Sequence, residues 1–190
     1  MPYLRPVLAG LPHSAASGVL ACAAALLLAG CSPALNWRSL RLPDAALQLM
    51  LPCKPEEARR SVDWGQGPVE LALTGCEADG ATFAVSHMRV DDPSQAGAVL
   101  AQWRQAVLAR LQASAAVAEE PYAPHGALAL PQSLQSRIEG RNAQGHPVHL
   151  QGLWFARLEG AHARLFHVAM LSDRPRPDVA RTFFEGVSLP

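Results

Sequence analysis

Apolar and polar positions alternate along the chain between residues 38 and 90. Leu47, Leu49 and Leu51 alternate with Gln48 and Met50, and Val69, Leu71 and Leu73 alternate with Glu70, Ala72 and Thr74. A period of two sends each set to one face of a strand. Residues 38–42, 59–64 and 82–90 read as further strands. Turns are expected at Gly65-Gln66-Gly67-Pro68 and Ala78-Asp79-Gly80. The period then changes. Ala96, Val99, Leu100, Trp103, Val107 and Leu111 recur every three or four positions, while Gln95, Gln102, Gln105 and Gln112 take the other faces. That is an amphipathic helix laid on a core, with Trp103 as an anchor on its apolar stripe. Asp92 can cap it, and Pro93 suits the first helical position.

A connection containing Pro, Ala and Gly follows at 121–131. Residues 134–139, 148–158 and 161–171 read as three more strands, the first two linked by 140–147 and the last two by a hairpin turn at Glu159-Gly160. Residues 165–171 are almost wholly apolar, which predicts a central strand covered on both faces. Residues 178–185 predict a short helix with Val179 and Phe183 on one side and Gly186 as its stop. Strands and helices are segregated along the chain. The expected class is therefore α+β: a mainly antiparallel sheet, one long packed helix and a short C-terminal helix. There is no internal repeat or heptad run.

The N-terminal pattern differs from all of this. Arg5 is the only Lys, Arg, Asp or Glu before Arg38, and residues 19–28 are uniformly apolar. A positive start followed by a short apolar core is the pattern of a secretory signal. Small residues and a cysteine come next, in Leu28-Ala29-Gly30-Cys31. This tetrapeptide resembles the lipobox of bacterial lipoproteins. The resemblance implies that residues 1–30 are a signal peptide and that Cys31 is lipidated as the first mature residue. Residues 31–36 would then be a tether, and 37–190 a single domain. Ser32 after the cysteine, rather than Asp, implies the periplasmic face of the outer membrane. Three other readings stay open: an ordinary cleaved signal, an uncleaved inner-membrane anchor from Ala15 to Cys31, and a start codon assigned too early. Several acyl chains anchor a protein stably where a single one does not.

Composition bounds the rest. The 190 residues carry 16 basic and 16 acidic side chains, so no nucleic acid is expected as a partner, because a general binder needs a basic face. A hydrophobic fraction of 49% excludes a disordered chain. Of the four cysteines, Cys22 lies in the signal and Cys31 is assigned to lipid, leaving Cys53 and Cys76. In an oxidising compartment two such cysteines usually pair. Each follows an alternating run, so neighbouring strands at 47–51 and 69–73 would bring them together. The loop they close is worth roughly 3–3.5 kcal/mol by the chain-entropy estimate.

The domain offers little chemistry. His87, His125, His146, His149, His162 and His167 show no metal-ligand spacing, so no metal or cofactor is expected. His167, within an apolar strand, reads as a hydrogen-bonded core residue. Ser86-His87 would point to opposite faces of a strand and cannot share a proton. Asp91-Asp92 reads as a helix start, and Gly65-Gln66-Gly67 lacks the helix that a phosphate loop needs. There is no nucleophile elbow, so no catalytic residues are expected. Arg157, Arg164, Arg174, Arg176 and Arg181 read as solvated charge, with a headgroup contact open to a tethered domain. The order of elements, with its terminal Phe183-Phe184-Glu185-Gly186-Val187-Ser188-Leu189, looks like the Mog1/PsbP-like α/β/α sandwich and is similar to uncharacterised proteobacterial lipoproteins. That resemblance implies a binding or assembly factor. The expectation is a membrane-anchored, non-enzymatic envelope module with a protein partner. The alternatives are an envelope hydrolase or metal-dependent enzyme with an unfamiliar site, and a carrier for a small molecule or lipid.

Overall fold

The computed structural model describes residues 34–63 and 67–190. The alternating segments become β1 (Arg38–Leu42), β2 (Leu47–Leu51), β3 (Glu56–Asp63), β4 (Pro68–Ala78) and β5 (Ala81–Val90). After α1 (Ala96–Arg110) come β6 (Ala118–Pro121), β7 (Leu134–Arg141), β8 (Pro147–Glu159), β9 (His162–Ser172) and α2 (Pro177–Glu185). The class is α+β and rich in strand. β1 and β2 form a hairpin of their own, and the other seven strands form one sheet in the order β3-β4-β5-β9-β8-β7-β6. Every ladder is antiparallel.

Four details differ from the sequence expectation. The 47–51 and 69–73 runs are not neighbours, because β2 and β4 belong to different sheets. Cys76 lies inside β4 rather than beyond it. Asp79 and Gly80 both adopt positive φ (49° and 71°), so a two-residue loop keeps Ala78 paired with Ala81 and extends the strand. The Cys53–Cys76 disulfide is nevertheless present, with Cα atoms 5.9 Å apart. Here it staples the hairpin to the large sheet. The predicted long helix begins later than Pro93: Pro93–Gln95 is a 3-10 turn, and the α-helix itself has 15 residues. The Asp92 carboxylate accepts from the Ser94 N–H at 2.9 Å and holds that turn. Finally, β6 is a four-residue edge strand that was too short to show a period. The Gly65-Gln66 part of the expected turn, like the signal, tether start and Cys31, lies outside the described residues.

β9 is the middle strand, as its unbroken apolar run predicts. Phe166, Val168 and Met170 point to one face, where they join Phe83, Val85, Leu153 and Phe155. The hairpin leucines 47, 49 and 51 and α2 residues Phe183 and Phe184 close this layer. Ala163 and Leu165 point to the other face with Met88, Val90, Trp154 and Ala156, under Val99, Leu100 and Trp103 of α1. Among the described residues no helix is long and apolar enough to cross a membrane.

Candidate functional site

The hairpin face of the sheet is apolar at the disulfide end and charged at the other. Along β5, Phe83 and Val85 are buried core residues, and His87 and Arg89 are the next side chains on the same face. The paired strands continue the change. Cys76 and Thr74 give way to Ala72 and Glu70 on β4, and Val168 and Phe166 give way to Arg164 on β9. The hairpin turn reaches this charged end through Asp44. The result is a cleft of about 360 Å³ whose ionisable lining is Asp44, Arg59, Glu70, His87, Arg89, Asp91 and Arg164.

The charges of the cleft are already engaged with one another. Arg59 of β3 bonds Glu70 across the strand pair and lies 3.5 Å from Asp44 of the hairpin turn. These acids hold the Arg59 guanidinium above its ordinary pKa, the Glu70 hydrogen bond most strongly. Arg89 donates to Asp91 at 3.2 Å and to His162 Nε2 at 2.8 Å. Arg164 Nε donates to both oxygens of Glu159 at 2.9 Å, and its Nη1 donates to His87 Nδ1 at 3.1 Å. Accepting at Nδ1 leaves the neutral His87 ring with its proton on Nε2. Burial first, then the adjacent Arg164 charge, lowers the His87 pKa to about 4. Three arginines face three carboxylates around the lining, so the cleft carries mixed sign and little net charge.

On the opposite face, one register step away, His167 stacks on Trp154 with ring centroids 3.6 Å apart and an angle of 8°. Trp103 meets both rings edge-on at 5.7 Å. Gly152 makes room for the stack, because a Cβ there would lie 3.0 Å from His167 Nε2. His167 Nε2 and Trp154 Nε1 are buried without a hydrogen-bond partner. The expected hydrogen bond is thus absent at Nε2, and the ring is positioned by stacking instead. Burial lowers the His167 pKa to about 3.

The other sequence candidates are dispersed. Ser86 and His87 do point to opposite faces, Ser86 toward the His167 side. Arg157, Arg164 and Arg176 are not solvated charge: their side chains are 22%, 15% and 12% exposed. Arg157 meets Glu159 two positions along β8 on the same face, Arg164 reaches Glu159 across the β8–β9 hairpin, and Arg176 bonds Asp79 in the β4–β5 loop. Arg174 and Arg181 are exposed. Among the described residues no group of three His, Cys, Asp or Glu side chains is placed to hold a metal ion. Sequence reading missed the cleft because its members come from β3, β4, β5, β9 and the hairpin turn. A signal was present in the switch from apolar to charged positions late in β5, but its partners depend on topology. No protein-family model matches the chain, and no curated protein matches it.

Proposed function

We propose that the chain is an envelope lipoprotein, anchored through acylated Cys31 on the periplasmic face of the outer membrane, whose α+β domain binds a protein partner at the charged cleft without doing chemistry there. The observation that carries the binding reading is the state of the cleft's one histidine. A general base works best with a pKa near the operating pH. His87 is neutral down to about pH 4, and its Nδ1 is occupied by Arg164. It is a weak base with its lone pair engaged. The surrounding arginines and carboxylates are similarly paired, an arrangement suited to exchanging ion pairs with a polar partner surface. A carrier would need an apolar cavity between sheet and α1, and Trp103, Trp154 and His167 pack against one another in that space.

Two experiments test the two halves. Cys31→Ala should abolish incorporation of labelled palmitate and release the protein from the membrane fraction. Persistence of both would sink the anchor. For the binding site, a photoreactive residue at Asp91, on the cleft rim, should give one discrete protein adduct in the intact envelope. The same residue at exposed Val117 should not, and Arg89→Glu should diminish the adduct. Equal adducts from both positions, or none from Asp91, would remove the cleft as the docking site.

A further inference from the structure

The strand that carries Arg59 has a second property. β3 is a terminal strand of the large sheet, hydrogen-bonded to β4 on one side and to no described strand on the other. Every residue from Glu56 to Ser61 is exposed. A strand directs alternate backbone groups to its two sides, so β3 keeps an outward row of N–H and C=O groups. Its sequence begins Glu56-Glu57-Ala58-Arg59-Arg60. Read backwards about Ala58, every charge changes sign.

Two identical strands can pair antiparallel only in certain registers. Directly opposed residues must point their backbone groups the same way, and their side chains to the same face. Opposed positions are therefore both even or both odd, and the two-fold axis passes between a residue and its own mate. With the axis at Ala58, Glu56 opposes Arg60 and Glu57 opposes Arg59, each twice, which makes four cross-strand pairs of opposite charge. With the axis at Glu57, Arg59 or Arg60, a charge opposes its own copy. Cross-strand pairs of opposite sign stabilise a ladder, and like pairs destabilise it.

We propose that β3 is a self-pairing edge: two copies of this chain join antiparallel about Ala58 into one continuous sheet. Edge charges commonly prevent such pairing. Here their order makes four opposite-charge pairs about Ala58 and repels in the two adjacent registers, whereas an axis at Ser61 would oppose only Arg59 to Asp63, twice. Glu56, Glu57 and Arg60 make no ion pair within their own chain among the described residues, so they are available to a second copy. Arg59 would add Glu57 of the second copy to the Glu70 and Asp44 it already holds. The axis stands perpendicular to the joined sheet, so the two clefts open on the same side. For copies anchored in one bilayer, that axis runs along the bilayer normal.

Cysteine placement in the full-length protein, kept in its membrane, tests the register. Ala58→Cys brings the two thiols to the axis, within the roughly 7 Å Cα separation that a disulfide allows. Ser61→Cys leaves its mate six positions away along the strands, about 20 Å. Mild oxidation and a non-reducing gel should show a covalent dimer for Ala58→Cys and none for Ser61→Cys. Adding Glu56→Arg or Arg60→Glu to Ala58→Cys opposes like charges and should cut the dimer about tenfold or more. Coexpressing those two charge variants restores opposite signs and should recover the dimer to within roughly twofold of the parent. Recovery requires both variants to be folded, which separates repulsion from misfolding. Absence of the Ala58→Cys dimer, equal crosslinking at Ser61, or no difference between separate and mixed charge variants would overturn the proposal.

Discussion

His87 and His167 occupy the same pair of strands, one register step apart. Ser86 lies opposite His167, and His87 lies opposite Phe166. Alternation sends His87 to the hairpin face and His167 to the α1 face. Both rings are nearly shielded from water, at 8% and 7% exposure, yet their surroundings are opposite in kind. His87 is held by a cation, at the edge of a cleft lined with ion pairs. His167 is held by indole rings and has an unpartnered Nε2. Equal burial therefore covers two different environments: an arginine-bound ring at a charged cleft, and a ring stacked on an indole within apolar packing.

The largest expected effect lies on the α1 face. Trp103→Ala removes the edge-on ring from both Trp154 and His167 and should cost about 3–5 kcal/mol in urea unfolding. A loss below about 1 kcal/mol would mean that the stack is not tightly packed and would erase the contrast. Acid should act on both faces. In the unfolded chain each ring titrates near 6.5. In the folded chain the rings stay neutral down to about 4 for His87 and about 3 for His167. Below pH 6.5 the unfolded chain binds protons that the folded chain does not, so stability falls as the pH drops. The expected loss is on the order of 3 kcal/mol per histidine by pH 4. Unfolding of His87→Gln and His167→Leu across this range should each show a shallower acid slope than the parent. An unchanged slope in either variant would show that its histidine is not held neutral.

A smaller effect separates the two rings. Arg164→Gln deletes a cation that lowers the His87 pKa and also breaks the pair with Glu159. It should cost about 1–3 kcal/mol. NMR titration should show the His87 pKa rising, while His167, lowered by burial alone, does not move. Equal movement of both would deny that Arg164 acts on one face only. The least effect is expected from Arg89→Ala, a half-exposed residue paired with exposed Asp91. Its stability should stay within about 0.5 kcal/mol of the parent, measured by the same urea unfolding. A cost above 1 kcal/mol would make the cleft a structural network rather than an adaptable surface.

Much of the framework was legible in local pattern. The leucine alternation at 47–51, the three-and-four spacing from Ala96 to Leu111 and the apolar run at 165–171 each correspond to an observed element. Trp103 was legible as a buried anchor because it shares the helical stripe with Val99 and Leu100. The cysteine pair was legible by counting. Its setting was not, because two alternating runs read the same whether they pair with each other or face each other from separate sheets. Arg164 is not solvated as expected: Glu159 reaches it locally across the hairpin turn, whereas His87 becomes its neighbour only when β5 and β9 lie side by side.

Sequence periodicity by itself determined most of the strands and helices and which side chains within each share a face. Those properties depend on repeats of two and 3.6 residues within one segment, and no distant contact is needed to create them. Tertiary structure alone decided the strand order, the separation of the hairpin from the large sheet, the assembly of the cleft, and the contrast between the two histidines. Each depends on which side chains meet across strands far apart in the chain. Hydrophobic burial drives that association without being directional, so many pairings bury similar area, and only the packed whole selects one.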